Sequence, residues 1–407
     1  MRPAYLILVC VCAFAQPRYD LVLKGGHVID AKNHVSAVRD VAITGNRIAA
    51  VDANIPASDA RRTVDVSGLY VTPGLVDMHV HVFAATMNRE YTGEDCVRPD
   101  GFTFRSGVTT VVDAGSSGWR SFGVLRDEII NKSKTRVFAM LNIVGNGMGG
   151  RMDIEQNTKD MEPERTAEVA KRNSDVVVGI KIAHYAGPEW IAVDRAVQAG
   201  ELAHLPVMVD FATFRPERPF QELVLKHLRP GDIYTHTYLQ AVPMIDKEGK
   251  LLPYLFEARR RGIIFDVGHG AGSFSWKQAV PAVKQGFIAD SISTDLHTDS
   301  MNAGMKDMLN VMSKFLALGV PLDQVIEMST WHPARQIHHE ELGHLTAGAP
   351  ADVAVLRVVK GDFGFVDSAR LRLKGTEKLV AEMTIRDGRV VWDLNGMSSQ
   401  DWDHAPR

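Results

Sequence analysis

Eight short apolar runs between residues 75 and 297 limit the folds that this chain can adopt. Stretches with helical spacing, such as PERTAEVAKR and DRAVQAGELAHL, separate several of the runs. This alternation is typical of repeated βα units, and eight parallel strands close a TIM (β/α)8 barrel of the α/β class. The predicted strands are LVDMHVH (75–81), GVTTVVDAG (107–115), RVFAMLNIVG (136–145), VVVGIKI (176–182), PVMVDFA (206–212), DIYTHTY (232–238), IIFDVGHG (263–270) and SISTDLH (291–297).

The two ends of the chain have a different pattern from the middle. Short strand-like segments with GG, GN and SG turns fill residues 19–71, and the same pattern returns near the C-terminus. Such segments indicate β structure with tight turns. We therefore predict a small β-sandwich domain from residues 16–72 and 341–396, a barrel over residues 73–340, and a tail over residues 397–407.

The first fifteen residues, MRPAYLILVCVCAFA, have the order of an export signal. Arg2 precedes an apolar run that ends in the small-residue pattern AFA, and the run is too short to anchor the chain in a bilayer. We predict a signal peptide over residues 1–15 and an exported protein, periplasmic or secreted, that is free of the membrane after cleavage. A buried first strand is the alternative, but the segment that follows makes a better first strand.

Composition limits the partners of the chain. Its 407 residues carry a formal net charge of -3, with a pI near 6.6 and no run of like charges. This balance gives no electrostatic reason to expect nucleic acid or an anionic membrane as a partner. We expect a small-molecule substrate and a homo-oligomer. Signal cleavage would remove Cys10 and Cys12 and leave Cys96 alone, so no disulfide could form within one chain.

Polar residues close the predicted strands, and the strands of a barrel end together at the face that carries the chemistry. His79 and His81 alternate along the first strand, so both imidazoles point to the same side. Such a pair is either a metal site or two hydrogen-bonded core histidines, and the other strand ends favour the metal site. Those ends contribute Asp113, which we interpret as a structural partner, and Lys181, Asp210, His236, His269, Asp295 and His297.

Lys181 and Asp210 lie in apolar runs, where an unpaired charge is unfavourable. The ammonium group of Lys181 can reach solvent, form a salt bridge, or react with carbon dioxide to give a carbamate that bridges two metal ions. A carboxylate buried at Asp210 requires a partner or a raised pKa.

Several motifs together resemble the amidohydrolase superfamily. They are VTPGLVDMHVH on the first strand, Lys181 on the fourth, THTY on the sixth, DVGHGAGSFSW on the seventh and STD on the eighth. GVTTVVDAGSSG, SKTRVFAMLNI, LRPGDI and VMSKFLALG resemble its dihydroorotase-like amidohydrolase/deacetylase branch. The resemblance covers residues 19–395 and implies a metal-dependent hydrolase.

The resemblance implies a site for one or two divalent metal ions, with zinc favoured and manganese as the alternative. His79, His81 and Asp295 would hold the more buried ion. His236 would help to hold the second ion, and Lys181, once carboxylated, would bridge the two.

Asp210 departs from the pattern, because this branch usually ends its fifth strand in histidine. The substitution adds one negative charge to the second site, and carboxylate suits harder ions such as manganese better than imidazole does. We predict that Asp210 is a ligand of the second ion. The alternative is that Asp210 is too short to reach the ion and that the enzyme works with one tightly held ion.

The family pattern implies an amidohydrolase or deacetylase that cleaves an acyl amide or ester of a small molecule with a metal-activated hydroxide. Asp295 would accept the hydroxide proton and pass it to the leaving group. His269 is predicted to be catalytic together with Asp295, because it would hydrogen-bond a substrate oxygen near the reacting carbon. The predicted substrate-binding residues are His269, His184, Tyr185 and Arg120. The alternatives are a dihydroorotase-like cyclic amidase, a deaminase, or a non-catalytic metal-binding protein whose site has decayed at Asp210. The presence of Lys181 and Asp295 argues against decay.

Overall fold

The N-terminal segment forms the first half of a sheet outside the barrel. The computed structural model describes residues 17–84, 96–148 and 153–404, and the predicted signal peptide lies outside these residues. Strands β1, β2 and β3 pair antiparallel, and β4 and β5 both pair in parallel with β1. These strands are β1 (Leu21–Asp30), β2 (Val35–Thr44), β3 (Arg47–Asp52), β4 (Thr63–Asp65) and β5 (Tyr70–Pro73).

Seven parallel strands follow and pair in chain order. They are β6 (Leu75–Val80), β7 (Val108–Gly118), β8 (Arg136–Asn142), β9 (Val177–Ala183), β10 (Val207–Asp210), β11 (Ile233–Tyr234) and β12 (Ile264–Phe265). Each begins within one residue of its predicted start. Strands β11 and β12 are shorter than predicted, because the chain soon leaves the extended conformation at His236 and Gly268, where φ is 64° and 45°.

The predicted eighth strand closes the barrel without forming a regular ladder. Isolated parallel bridges join Asp266 of the seventh segment to Ser291, and Val80 of β6 to Leu296. The segment therefore occupies the eighth position, between the seventh and the first strand. It has no longer ladder because the chain turns at Asp295, where φ is 52°.

The C-terminal strands return to the N-terminal sheet. They are β13 (Val353–Val366), β14 (Arg372–Arg386) and β15 (Arg389–Asp393), and β13 pairs with β5. The β-domain predicted from the two chain ends is confirmed, and its strands form one continuous sheet in the order β15-β14-β13-β5-β1-β2-β3, with β4 on β1. Strand β1 pairs with β2, β4 and β5, and its register against β2 shifts between Leu23 and Gly26. Gly25 lies at this shift with a φ of 72°, which glycine adopts easily.

Helices connect the barrel strands. Helix α2 starts at Pro163, whose missing N–H is not needed in the first turn, and it buries Ala167 and Ala170 on one face. Within the described residues, no helix is long and apolar enough to cross a membrane. The helices in the described part of the chain are α1 (Phe122–Leu125), α2 (Pro163–Arg172), α3 (Ile191–Ala203), α4 (Phe220–Glu222), α5 (Tyr254–Arg260), α6 (Trp276–Lys284), α7 (Thr298–Asn302), α8 (Met308–Ala317), α9 (Leu322–Glu327) and α10 (Trp331–Gln336).

An apolar cluster lies directly beneath the polar strand ends. Met78 and Met208 belong to this cluster, together with Ala334 of α10, and all three are fully buried. Met78 precedes His79, and Met208 lies two residues before Asp210. The polar side chains therefore begin where the apolar filling of the barrel ends.

Candidate metal centre

His79, His81 and Asp295 form the first group of candidate ligands. The Nε2 atoms of His81 and His79 lie 3.0 and 3.5 Å from the same oxygen, Oδ1 of Asp295. Asp295 and His79 are buried. The ligand atoms of the three residues lie within 4.8 Å of one another, which allows one metal ion to contact all of them.

Asp210 and His236 form a second group of candidate ligands, which shares His79 with the first. Oδ1 of Asp210 lies 3.1 Å from Nε2 of His236, and its Oδ2 lies 3.2 Å from Nζ of Lys181. The same Nζ lies 3.1 Å from Nε2 of His79. Lys181 is therefore placed between the two groups.

Hydrogen bonds behind His79 determine which of its ring nitrogens carries the proton. Thr235 Oγ1 donates its single hydrogen to Oδ2 of Asp266 at 2.8 Å. The same oxygen lies 2.9 Å from Nδ1 of His79, so it accepts from Nδ1–H, and Nε2 keeps its lone pair. Ser291 and Ser293 also donate to Asp266, so three hydroxyl groups hold this buried carboxylate in place.

His236 is oriented in the same way. Its Nδ1 contacts the carbonyl oxygen of Gly268, which can only accept, so Nδ1 carries a proton and Nε2 faces Asp210. Oδ1 of Asp210 is buried and lies 3.1 Å from Nε2 of His236. Two lone pairs at this distance repel each other unless a proton or a metal ion lies between them. The donor set therefore fits a divalent ion.

Electrostatics favour ionised carboxylates and a neutral His79 at this site. Burial works to lower the pKa of His236, but the charge of Asp210 raises it, so a metal ion would have to displace a proton from this ring. Burial works to raise the pKa of Asp295, but the nearby His79 helps to hold it well below the usual value. Burial also acts to raise the pKa of Asp210, whereas His236 and Lys181 keep it well below the usual value. Burial, and then the charge of Lys181, lower the pKa of His79. Ionised carboxylates and neutral imidazoles are the forms that coordinate metal.

Three residues at this face adopt left-handed backbone conformations. The angle φ is 52° at His184, 64° at His236 and 52° at Asp295. Non-glycine residues rarely occupy this region, and such strain persists only where the surrounding structure holds it, often at functional sites. Its presence at three strand ends supports a functional role for this face.

The structure brings the predicted ligands into one cluster. Asp113 lies beside them and accepts from the amides of Val82 and Ser116, both at 2.9 Å. These bonds to backbone are those of the structural partner that the sequence suggested. The clustered residues are His79, His81, Lys181, Asp210, His236 and Asp295.

His269 does not face this cluster, so its predicted contact with substrate is corrected. Its ring stacks on Phe274 with 4.6 Å between centroids, its Nδ1 bonds to the carbonyl of Gly270, and its Nε2 contacts Nζ of Lys314. Neither ring nitrogen is left for a substrate. A Cβ on Gly268 or Gly270 would collide with Thr235, His236 or Asp295, so the backbone of these two glycines lies against the cluster while the ring of His269 packs on Phe274.

Tyr185 and Arg120 already have partners in their own loops. The hydroxyl of Tyr185 donates to Glu189 at 2.8 Å. The guanidinium of Arg120 pairs with Asp160 and lies over the ring of Trp119. In the described part of the chain, no hydrogen bond or ion pair joins either predicted substrate residue to the cluster.

Two buried carboxylates next to the cluster were missed by the sequence analysis. Asp266 lies inside the apolar run IIFDVGHG, which is the same signal that singled out Asp210 and could have found it. Glu155 lies in a short 3-10 turn, Ile154–Gln156, and no sequence pattern marks it. Its Oε2 lies 2.8 Å from Nδ1 of His184, the third of the predicted substrate residues.

Comparisons with known proteins agree with this fold and site. Residues 275–391 match the amidohydrolase family. A deacetylase of Agrobacterium fabrum is 33% identical over 338 residues, which cover 81% of each chain. Two crystal structures are also similar, and the match to each covers 92% of this chain. One is an adenine deaminase, which is 28% identical with a TM-score of 0.84 and is covered over 100% of its chain. The other is a dihydroorotase, which is 29% identical with a TM-score of 0.78 and is covered over 99% of its chain. The chain belongs to the amidohydrolase family.

Proposed function

We propose that the protein is a metal-dependent hydrolase that cleaves an acyl amide or ester of a small molecule. The observation that carries this proposal is the buried Oδ1 of Asp210 facing Nε2 of His236, next to the group formed by His79 and Asp295. The deacetylase relative, which aligns over 81% of both chains, favours acyl transfer to water over the reactions of the other relatives.

Different groups of the site would activate the water and transfer its proton during hydrolysis. Divalent ions, when bound, lower the pKa of water and polarise the scissile carbonyl. Asp295 is ionised near neutral pH, so its carboxylate can accept a proton from the attacking water and return it to the leaving group. His297 lies next to it, with Nε2 3.7 Å from Oδ2 of Asp295.

Lys181 would be carboxylated when the metal ions are bound. As an ammonium group at 3.1 Å, its Nζ would compete with a metal ion for the lone pair of His79. A carbamate on Lys181 would remove this competition, and its oxygen atoms would serve as ligands for both groups of residues. His79, His81 and Asp295 would hold one ion, and Asp210 and His236 the other, with zinc favoured and manganese as the alternative.

A substrate screen tests the proposed activity. Metal-loaded protein is assayed on N-acyl amino acids, acylated hydroxy acids, lactones, hydantoins, dihydroorotate and adenine. We expect release of the acyl group from the first two classes. Turnover of dihydroorotate or hydantoins alone would identify a cyclic amidase, and turnover of adenine alone a deaminase. Loss of all activity after chelation, with recovery on adding metal, is expected only for a metal-dependent enzyme.

Lysine carboxylation can be measured without any substrate. We expect metal-loaded protein equilibrated with 13C-labelled bicarbonate to show one carbamate 13C resonance, which Lys181→Met abolishes. Lys314→Met is the matched control, because Lys314 is also a fully buried lysine but has no contact with the ligand cluster. A resonance that survives in Lys181→Met, or that is absent from the metal-loaded wild type, would contradict the bridging role.

A further inference from the structure

Glu155 is a buried carboxylate that the proposed hydrolysis does not use. Its side chain is almost fully buried in the turn that follows β8 in the chain. Oε2 lies 2.8 Å from Nδ1 of His184, and Oε1 is buried with no hydrogen-bond partner among the residues that the structure describes. Burying a carboxylate whose hydrogen-bonding capacity is not fully used is unfavourable, so a functional role would explain the position of Glu155.

The backbone around His184 is held without help from Glu155. Gln156 donates from Nε2 to the carbonyl of His184 at 2.9 Å, and its Oε1 accepts from the amide of Ala186 at 2.8 Å. From the other side, Arg218 donates to the carbonyl of Tyr185 at 2.8 Å. The contact of Glu155 is therefore with the ring of His184 and not with its loop.

The imidazole of His184 lies at the edge of the metal centre. Its backbone amide donates to the carbonyl of Asp210 at 2.9 Å, and it follows Lys181 by three residues. The His184 side chain is 25% exposed, whereas that of Glu155 is 2% exposed. In the described part of the chain, Nε2 of His184 has no hydrogen-bond partner. Because Nδ1 is taken by Glu155, Nε2 is the ring atom left for a ligand.

We propose that Glu155 is a positioning residue that holds the His184 ring, and that Nε2 of His184 binds a polar group of the substrate on the Asp210 side of the site. This inference rests on the proposed hydrolase function and adds a requirement to it. The substrate must carry an oxygen or nitrogen that can hydrogen-bond beside the scissile acyl bond. Without Glu155 the ring is free to rotate, and a displacement of about 1 Å in a substrate-positioning group can cost about a hundredfold in rate.

Kinetics of matched variants test the role of Glu155. We expect Glu155→Ala to lower kcat/KM by about tenfold to a hundredfold, mainly through KM, because substrate placement is lost. Glu155→Gln recovers part of this loss, since its amide oxygen still accepts from Nδ1. Gln156→Ala is the comparison, because it loosens the same loop but leaves the contact of Glu155 with the ring, and we expect a smaller loss than in Glu155→Ala. His184→Ala should match Glu155→Ala, and the double variant should be no worse than either.

A spectroscopic measurement tests the contact independently of activity. In metal-free protein labelled with 15N-histidine, the Nδ1 proton of His184 should resonate far downfield because a carboxylate accepts it. It should move upfield in Glu155→Gln and disappear in Glu155→Ala and in His184→Ala. An unchanged spectrum, an unchanged KM in Glu155→Ala, or an equal loss in Gln156→Ala would overturn the positioning role. A wild-type protein that hydrolyses no acyl substrate would instead overturn the hydrolase function, and this role with it.

Discussion

Asp295→Asn should lower kcat by about a thousandfold or more. Asp295 has two functions, because it is a candidate ligand of the first ion and the group proposed to carry the proton from water to the leaving group. Loss of general acid–base catalysis alone typically costs about a hundredfold to ten-thousandfold. Asparagine has nearly the same size and tolerates the left-handed φ of 52°, so the backbone should stay in place. Steady-state kinetics at saturating metal measure the effect.

Asp387→Asn is the matched control for this variant. Asp387 also has a left-handed φ, 54°, and lies in the turn between β14 and β15, outside the barrel. We expect its kcat and thermal midpoint to stay at the wild-type values. If Asp295→Asn kept more than about a tenth of the wild-type kcat, the proton would have to be carried by another group.

Much of the fold and of the ligand cluster was predictable because both follow from the strands. Apolar runs gave the starts of seven strands, and the two-residue period of a strand put His79 and His81 on one side. Because parallel strands end at one face, residues far apart in the chain, such as Lys181 and Asp295, were expected to meet there. The structure brings them together.

His269 shows where this reasoning fails. Every polar residue near a strand end was treated as facing the barrel mouth, although the two-residue period of a strand holds only where the chain is extended. Asp266 faces inward, where hydroxyl groups from Thr235 and Ser293 bind it. The chain leaves the extended conformation at Gly268, so the strand period does not give the direction of His269, whose ring packs on Phe274.

The position of Glu155 beside His184 could not be predicted from the sequence, for a different reason. It belongs to a loop whose path is set by tertiary contacts and not by a repeating pattern. The left-handed turns at His184, His236 and Asp295 are also unmarked, because glycine, the usual signal for such a turn, is absent at these three positions. The sequence therefore predicted which candidate ligands meet but not the side chains that orient them.

The second metal ion depends on whether Asp210 can act as a ligand in place of the histidine of the family pattern. Its carboxylate lies within 3.2 Å of both Lys181 and His236. A carboxylate also brings one more negative charge than the histidine that the family pattern places there. That charge should make the metal-activated water slightly less acidic and should increase the tolerance of the site for harder ions.

We therefore expect Asp210→Asn to reduce the metal content from about two ions per chain to about one, with kcat falling about a hundredfold or more, because the second ion no longer assists. Asp210→His should keep both ions and strengthen the preference for zinc over manganese, since imidazole suits zinc. Metal analysis after dialysis against equal zinc and manganese measures both effects. Glu155→Gln, which neutralises the other buried carboxylate near Lys181, should keep the wild-type metal content. Equal metal content in wild type and Asp210→Asn would show that Asp210 is not a ligand and that the enzyme works with one ion.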